Sequence, residues 1–356
     1  MTPSRPSDDT LQPPPLPDDI EAVSEWPFCW QSLVQVSRTF SRPIELLPPR
    51  LRVATTCGYL HCRIADTVED DPQLDLDERI HLYETFLAVL EQGDDASAFN
   101  EAARALSQNG AEVRLATNLD RVMVVYEQLP RAMRQTCTRW IGEMVRGMSL
   151  YGHRKASGEG VTTLNTVADL ERYCYFVAGT VGQMLTGLFE AAAEDLDPER
   201  LRTMRRRAES FGLGLQMVNI LKDQTDDLER GWSFIPRTVW DEVGCAPHEL
   251  DDPRAKARAH KALEPIFERA RRHLDDALAY TLAIPPGEIG MRLFCLLPLW
   301  MAVRTLVHAH RNDAMFTPGE PVKITREEVE RLIADATQNV ADDRALQTTY
   351  DKLWAD

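Results

Sequence analysis

The chain has 356 residues, 44% of them apolar, and a formal net charge of −16, with 56 acidic against 40 basic side chains. The apolar share is ordinary for a globular core, while the charge argues against nucleic acid or an anionic membrane surface as a partner; an anionic substrate stays open, because a metal ion or local Arg and Lys can invert the field at a site. Seven scattered cysteines without a C-x-x-C pair favour free thiols in a reducing compartment, the N-terminus lacks the basic-then-apolar run of a signal peptide, and no stretch approaches the roughly 20 apolar residues of a spanning helix, so a cytoplasmic chain without a transmembrane anchor is expected.

Residues 1–22 are rich in Pro, Ser and Asp and read as a disordered tail, leaving 23–356 as a single all-helical domain. From Trp26 the pattern turns helical. Pro43 and the Pro48-Pro49 pair end one helix and start the next, an apolar run through Tyr59, Leu60 and Ile64 that ends in Asp66, Glu69 and Asp70. That i, i+3, i+4 spacing puts three carboxylates on one helical face. Arg38 and Arg63 lie close by in sequence, as surface ion pairs or as a guanidinium clamp for phosphate.

Residues 76–150 place Leu, Val and Met at helical spacings, with breaks near Gly93 and Gly110, and YGHRKASGEGV at 151–161 reads as a polar loop. In VADLERYCYFVAGTVGQMLTGLFEAAA, the small residues Gly179, Gly182, Thr186 and Gly187 share one face. Gly inside a helix costs about 0.5–1 kcal/mol against Ala, so the stripe serves either close helix packing or room for a long apolar ligand chain.

Residues 211–236 read as one helix running into a turn, with Asp223, Asp226 and Asp227 repeating the first acidic spacing after the apolar run Phe211 to Leu221. Like charges so placed cost about 0.2–0.5 kcal/mol per pair, so something cationic should compensate. Two such faces opposed across a cavity would supply six hard oxygen donors of the type Mg²⁺ prefers when it also keeps waters and phosphate oxygens. Solvated acidic surface is the plainer reading of either cluster, and the apolar flanks argue against it. Further on come a helix over about 255–282, a Pro285-Pro286-Gly287 break, a buried helix kinked at Pro298, a loop over 312–324 and two short helices. With no strand run, no βαβ rhythm and no repeat, the fold class is all-α.

Several motifs, in order, carry a family likeness: SRTF at 37–40, YLHCRIADTVEDD at 59–71, YCYFVAGTVG at 173–182, QMVNILKDQTDD at 216–227 and FCLLPLWMA at 294–302. From about Ser37 to Lys323 the chain resembles the squalene and phytoene synthase family, a single large helical bundle of the isoprenoid synthase type with a central active-site cavity, and FCLLPLWMA resembles its squalene branch in particular. The resemblance implies a prenyltransferase making a sterol or hopanoid precursor: head-to-head condensation of two farnesyl diphosphates to presqualene diphosphate, then NADPH-dependent reductive rearrangement to squalene. It implies Mg²⁺ on Asp66, Glu69, Asp70, Asp223, Asp226 and Asp227; a proton-abstracting or cation-stabilising phenol at Tyr173, with Tyr59 near; and a cavity wall including Phe40 and Phe294. Arg38, Arg63 and Lys222 would hold diphosphate, Gln216 and Asn219 the polar end, and peripheral membrane contact would release product.

Two departures accompany the likeness. In Arg230-Gly231-Trp232-Ser233-Phe234, Trp232 stands where the family pattern G-R-x-F has its basic residue, with Arg230 before the glycine to substitute for it. In PVKITR at 321–326, Thr325 takes the place of an Arg, and Lys323 with Arg326 would bind the nucleotide phosphate of NADPH. Condensation without reduction, as in phytoene or dehydrosqualene synthases, is the first alternative, followed by a Mg²⁺-dependent diphosphate hydrolase and a non-catalytic helical scaffold.

Overall fold

The computed structural model describes every residue except 1–11, 22–23, 38, 108–109, 157–160, 194–195, 247–248, 251, 321 and 356, and leaves out the side chains of 155 and 156. The chain is predominantly α-helical, as its periodicity predicts, and its contacts divide it into two compact units: residues 1–152 with 187–192, and 153–186 with 193–356.

The first unit is built around the helix Pro49–Asp70, which starts cleanly because Pro49 occupies its first turn after the extended Pro48. Val53, Cys57, Leu60, Ile64 and Val68 recur at helical spacing and are buried, against the helices Trp26–Val36, Ala111–Ala116 and Leu119–Tyr126. His61 belongs to this core, with Nδ1 2.7 Å from the Cys57 carbonyl, and burial lowers its pKa to about 4, which keeps it neutral. The helix Leu76–Leu87 opens on a capping box between Asp75 and Glu78 and runs into a π-helical turn, Ala88–Gln92.

Two sequence expectations are corrected in this unit. Residues 12–21 are part of the fold rather than of a tail: Trp26 Nε1 donates to the Pro14 carbonyl (2.7 Å), Arg50 pairs with Asp19 (2.8 Å) and Ile20 is buried. The helix Arg131–Ala156 also runs through the start of the segment expected as a loop, with Tyr151 fully buried. Expected breaks at Gly93 and Gly110 are present, Gly93 closing the π-helical turn at φ +77°.

In the second unit the long helices Pro198–Lys222, Pro253–Ala283 and Ile289–Ala309 pack on one another. Arg292 is fully buried and donates to the carbonyls of Leu282, Ile284 and Val340 and to Asp343, tying the end of Pro253–Ala283 to the C-terminal helices. Ile289–Ala309 is long and apolar enough to cross a membrane by length and composition, contrary to expectation, and most of it is buried inside the protein. It continues through Pro298. A two-residue parallel ladder pairs Thr162–Thr163 with Trp232–Ser233, too short to register as a strand pattern.

The small-residue stripe serves helix packing. A Cβ on Gly182 would stand 1.9 Å from the Ala208 carbonyl oxygen, and one on Gly212 would stand 2.1 Å from that of Ala178. Thr186 donates to the Gly182 carbonyl (2.8 Å) and shares a hydrogen bond with Tyr280 (3.0 Å). Gly182→Ala is therefore expected to lower stability by about 1–3 kcal/mol, towards the upper end because backbone opposes it, although helix propensity alone favours Ala. Gly142→Ala is the control, since its Cβ meets only flexible ends of Glu91 and Arg146. Urea denaturation checks the pair; equal midpoints for Gly182→Ala and the parent would remove the packing argument.

Candidate active site

The last turn of Pro49–Asp70 carries Asp66 and Glu69, half-buried, and Asp70, exposed. Arg63 lies 3.8 Å from Asp66 and 3.9 Å from Glu112 and donates to the Val36 carbonyl at 3.3 Å, while its Nε is buried without a hydrogen-bond partner. Although 38% of the Asp66 side chain is reached by solvent, the protein packed around it pushes the carboxyl up to about 7; Arg63 pulls it down and Asp70 pushes it up. Asp71, one residue on, is structural. Its carboxylate accepts from the backbone N–H of Gln73 (2.9 Å), Leu74 (3.2 Å) and Ser107 (2.6 Å), and although burial opposes it these bonds hold its pKa below the usual carboxylate value.

Phe40 precedes the short helix Ser41–Glu45, its N–H bonded to Ser37 Oγ (3.0 Å) and its ring 5.9 Å from Tyr59. Burial raises the Tyr59 phenol pKa, with Ser37 and Arg63 pulling the other way. Arg38 lies outside the described residues. Tyr59, Arg63 and Asp66 thus follow one another along the second half of Pro49–Asp70 in the first unit, with Phe40 against Tyr59.

The second acidic motif departs from the continuous helix expected over it. Pro198–Lys222 ends at Asp223, whose φ −105° and ψ 20° are not helical, and a new helix, Gln224–Glu229, begins there. The two are linked because Asp223 donates its N–H to Asn219 and accepts from Asp227, both at 2.9 Å. Lys222 pairs with Asp223, and Arg230 reaches Asp227 at 3.0 Å, so the cations that the acidic spacing calls for are supplied within the motif. Asp227 is buried, Asp226 and Asn219 are exposed, and Gln216 is half-buried.

Tyr173 is buried in the last turn of Val167–Cys174, before a second π-helical turn, Tyr175–Gly179. Its ring stacks on Phe234 (4.6 Å, 22° between planes), and Phe234 stacks on Trp232 (5.1 Å, 4°). Phe294 is buried in Ile289–Ala309. Lys323 is exposed, and Arg326, 94% exposed, opens the helix Arg326–Asn339 beside Glu330. Thr325 is that helix's N-cap, accepting from the Glu328 N–H at 3.1 Å. The turn Asp313–Phe316, at the start of this loop, packs against Gln224–Glu229.

Residues 33–328 match the family model for squalene/phytoene synthase. The chain belongs to the squalene/phytoene synthase family. A Schizosaccharomyces pombe protein described as squalene synthase is 31% identical over 316 residues, covering 88% of this chain and 66% of that one. An Arabidopsis thaliana protein described as squalene synthase 1 is 28% identical over 91% of this chain and 74% of its own. The chain thus spans about two thirds of the length of the first of these relatives. Among solved structures, TcSQS in complex with a ligand aligns with TM-score 0.77 at 27% identity, covering 94% of this chain and 92% of that chain. A dehydrosqualene synthase at 18% identity and TM-score 0.58, covering 89% and 96%, shares the fold.

For a squalene/phytoene synthase, a Mg²⁺ requirement can be weighed against the donors present. Among the described residues no three of His, Cys, Asp and Glu stand together so as to hold a metal by themselves. The donors that the two acidic motifs offer are carboxylate oxygens, Asp66, Glu69 and Asp70 in one and Asp223, Asp226 and Asp227 in the other, the hard ligands that Mg²⁺ takes together with water and phosphate oxygens. Two arrangements beside these motifs escaped the sequence reading. Phe234 and Trp232 line up with Tyr173 through a turn no periodicity reveals, and Tyr83 is buried with an unbonded hydroxyl in the field of Glu69, Asp66 and Asp70.

An Asp66 carboxyl at about 7, against about 4 in the unfolded chain, means that the folded state binds more protons between those values, so this group's contribution to stability falls as pH rises from about 4 to 7. Asp66→Asn is expected to raise the melting temperature at pH 8 and to change it little at pH 4. Equal shifts at both pH values would show that Asp66 does not carry this linkage.

Proposed function

We propose that this protein is a squalene synthase: it joins two farnesyl diphosphates head to head into presqualene diphosphate and, with NADPH, rearranges and reduces that product to squalene. The observation that carries the reading is the second acidic motif, where a helix break at Asp223 sets Lys222 against Asp223 and Arg230 against Asp227, and the strand that follows stacks Phe234 on Tyr173.

Asp66, Glu69 and Asp70 in one motif and Asp223, Asp226 and Asp227 in the other would hold Mg²⁺ together with diphosphate oxygens. Bound there, Mg²⁺ supplies Lewis-acid neutralisation of the departing pyrophosphate. Lys222 and Arg230, which pair with Asp223 and Asp227, would donate N–H groups to diphosphate oxygens. Arg63 contributes a buried Nε–H that has no other acceptor, which suits an anion. Tyr173 is the phenol for the proton moved in the condensation, held in an aromatic, water-poor setting that also suits carbocations. Phe40 with Tyr59 in the first unit, and Phe294 in the second, are further apolar candidates in this reading, and Gln216 and Asn219 in the second unit polar ones.

The reductive half-reaction draws on the loop that begins at the Asp313–Phe316 turn, next to Gln224–Glu229, and carries Lys323 and Arg326. Both cations are exposed, which suits nucleotide phosphates kept near solvent while the nicotinamide enters a dry cavity. All seven cysteines are free, which suits a reducing, cytoplasmic location.

Incubation with farnesyl diphosphate and Mg²⁺, with and without NADPH, analysed by mass spectrometry, tests this function. Squalene formed only with NADPH is expected. Dehydrosqualene in both cases would move the chain to the non-reducing branch, and farnesol with inorganic pyrophosphate would make it a hydrolase. Lys323→Ala with Arg326→Ala is expected to raise the NADPH concentration for half-maximal reduction several-fold and to leave presqualene diphosphate formation intact; equal loss of both half-reactions would take the cofactor elsewhere.

A further inference from the structure

The chain leaves the second acidic motif through Gly231, whose φ of +80° only glycine adopts without strain, and enters the ladder with Thr162–Thr163. Thr162 donates to the Gly231 carbonyl at 2.9 Å and Leu164 to that of Ser233 at 3.4 Å. Side chains alternate along an extended segment, so Ser233 turns inward, where Trp240 Nε1 donates to its hydroxyl at 3.4 Å, and Trp232 and Phe234 share the other face. On that face the indole, the Phe234 ring and the Tyr173 ring form one column, half-exposed at Trp232 and buried at Tyr173. The backbone beyond Tyr173 is fixed independently: a Cβ on Gly179 would lie 3.1 Å from Leu213 and 3.2 Å from Glu209, and Gly182 leaves no space at all. The helix is therefore held, while the Tyr173 ring packs on Phe234, whose outer face is covered by Trp232.

We propose that Trp232 is a positioning residue for Tyr173, acting through Phe234. An indole at this place, where the resemblance leads one to expect a cation, holds a ring plane instead of a phosphate, and leaves anion binding to Arg230 on the other side of Gly231. A nearly parallel stack restricts tilt of the middle ring, and a phenol that moves a proton must keep its hydroxyl within hydrogen-bond reach of the reacting atom. This rests on Tyr173 being the phenol of the condensation.

The test uses full-length protein carrying 3-fluorotyrosine at its eight tyrosines, with the ¹⁹F resonance of Tyr173 assigned by its loss in Tyr173→Phe. Trp232→Ala is expected to move the Tyr173 resonance, to lower kcat for farnesyl diphosphate consumption about tenfold and to leave KM within about twofold. Trp232→Phe should restore both. Phe234→Leu, which breaks the column at its centre with Trp232 intact, should move the same resonance and serves where Trp232→Ala does not fold. An unmoved Tyr173 resonance in the folded variants, or failure of Trp232→Phe to rescue, overturns the proposal. So does an effect on KM alone, which would make the indole a substrate contact. Should the parent protein fail to consume farnesyl diphosphate, the proposed function falls, and the ¹⁹F comparison still decides whether Trp232 sets the Tyr173 ring.

Discussion

The Ala208 carbonyl oxygen occupies the place where any side chain on residue 182 would begin, and the Ala178 carbonyl does the same for residue 212. Two backbones this close leave no freedom to slide or rotate, at the cost of about 0.5–1 kcal/mol of helix propensity for each glycine. The consequence reaches both ends of the contact. Ala208 and Gly212 lie on Pro198–Lys222, the helix that delivers Lys222 and Asp223; Ala178 and Gly182 follow directly on the turn that carries Tyr173. Phenol and acidic motif therefore belong to one frame within the second unit, and the ladder to Trp232–Ser233 ties them a second time.

Charge is managed differently in the second unit's frame and at the end of the helix Pro49–Asp70 in the first unit. Arg292 and Arg304 are buried, and each is satisfied by backbone carbonyls plus one carboxylate: Asp343 at 2.7 Å for Arg292 and Glu328 at 2.6 Å for Arg304, which also donates to Leu353. Such pairs fix the C-terminal helices, and removing one partner would strand a buried charge. Asp66 is the contrary case: its cation lies 3.8 Å away, a like charge adds to the cost of burial, and its carboxyl rests near 7. An acid left in that state is a poor structural element, since its contribution to stability falls as pH rises towards 7.

The helices were legible because apolar residues at three- and four-residue spacings mark buried faces, as with Val53, Cys57, Leu60, Ile64 and Val68. The motif carboxylates stood out by their spacing and Arg63 by its place beside them, whereas Tyr173 and Lys222 entered the candidate site through the family resemblance alone. What could not be read is what depends on partners distant in sequence. Asp223, Asp226 and Asp227 have the same spacing whether the helix runs on or breaks, and Asp71 looks like its neighbours until Ser107 is seen donating to it. Residues 12–21 have the composition of a tail but give Pro14 to Trp26 and Asp19 to Arg50. The glycine stripe allowed two readings, and only the opposing carbonyls of Ala208 and Ala178 choose between them.

The two positions where a basic residue is missing have a common logic. At 325 the threonine hydroxyl accepts the Glu328 N–H and so starts the helix Arg326–Asn339, while Glu328 turns its carboxylate to Arg304 and His308. A long cation there could not cap the helix, and the positive charge falls to Arg326, one residue on and almost fully exposed. At 232 the indole completes a ring stack, and the charge falls to Arg230, two residues earlier and paired with Asp227. In both places a side chain that organises local structure takes the central position, and the nearest cation in the chain stands on an exposed neighbour. A helix cap or a stacked ring works from one position alone, whereas an Arg or Lys carries its charge several ångströms on a flexible stem, so the charge tolerates a move to a neighbouring residue and the cap or the ring does not.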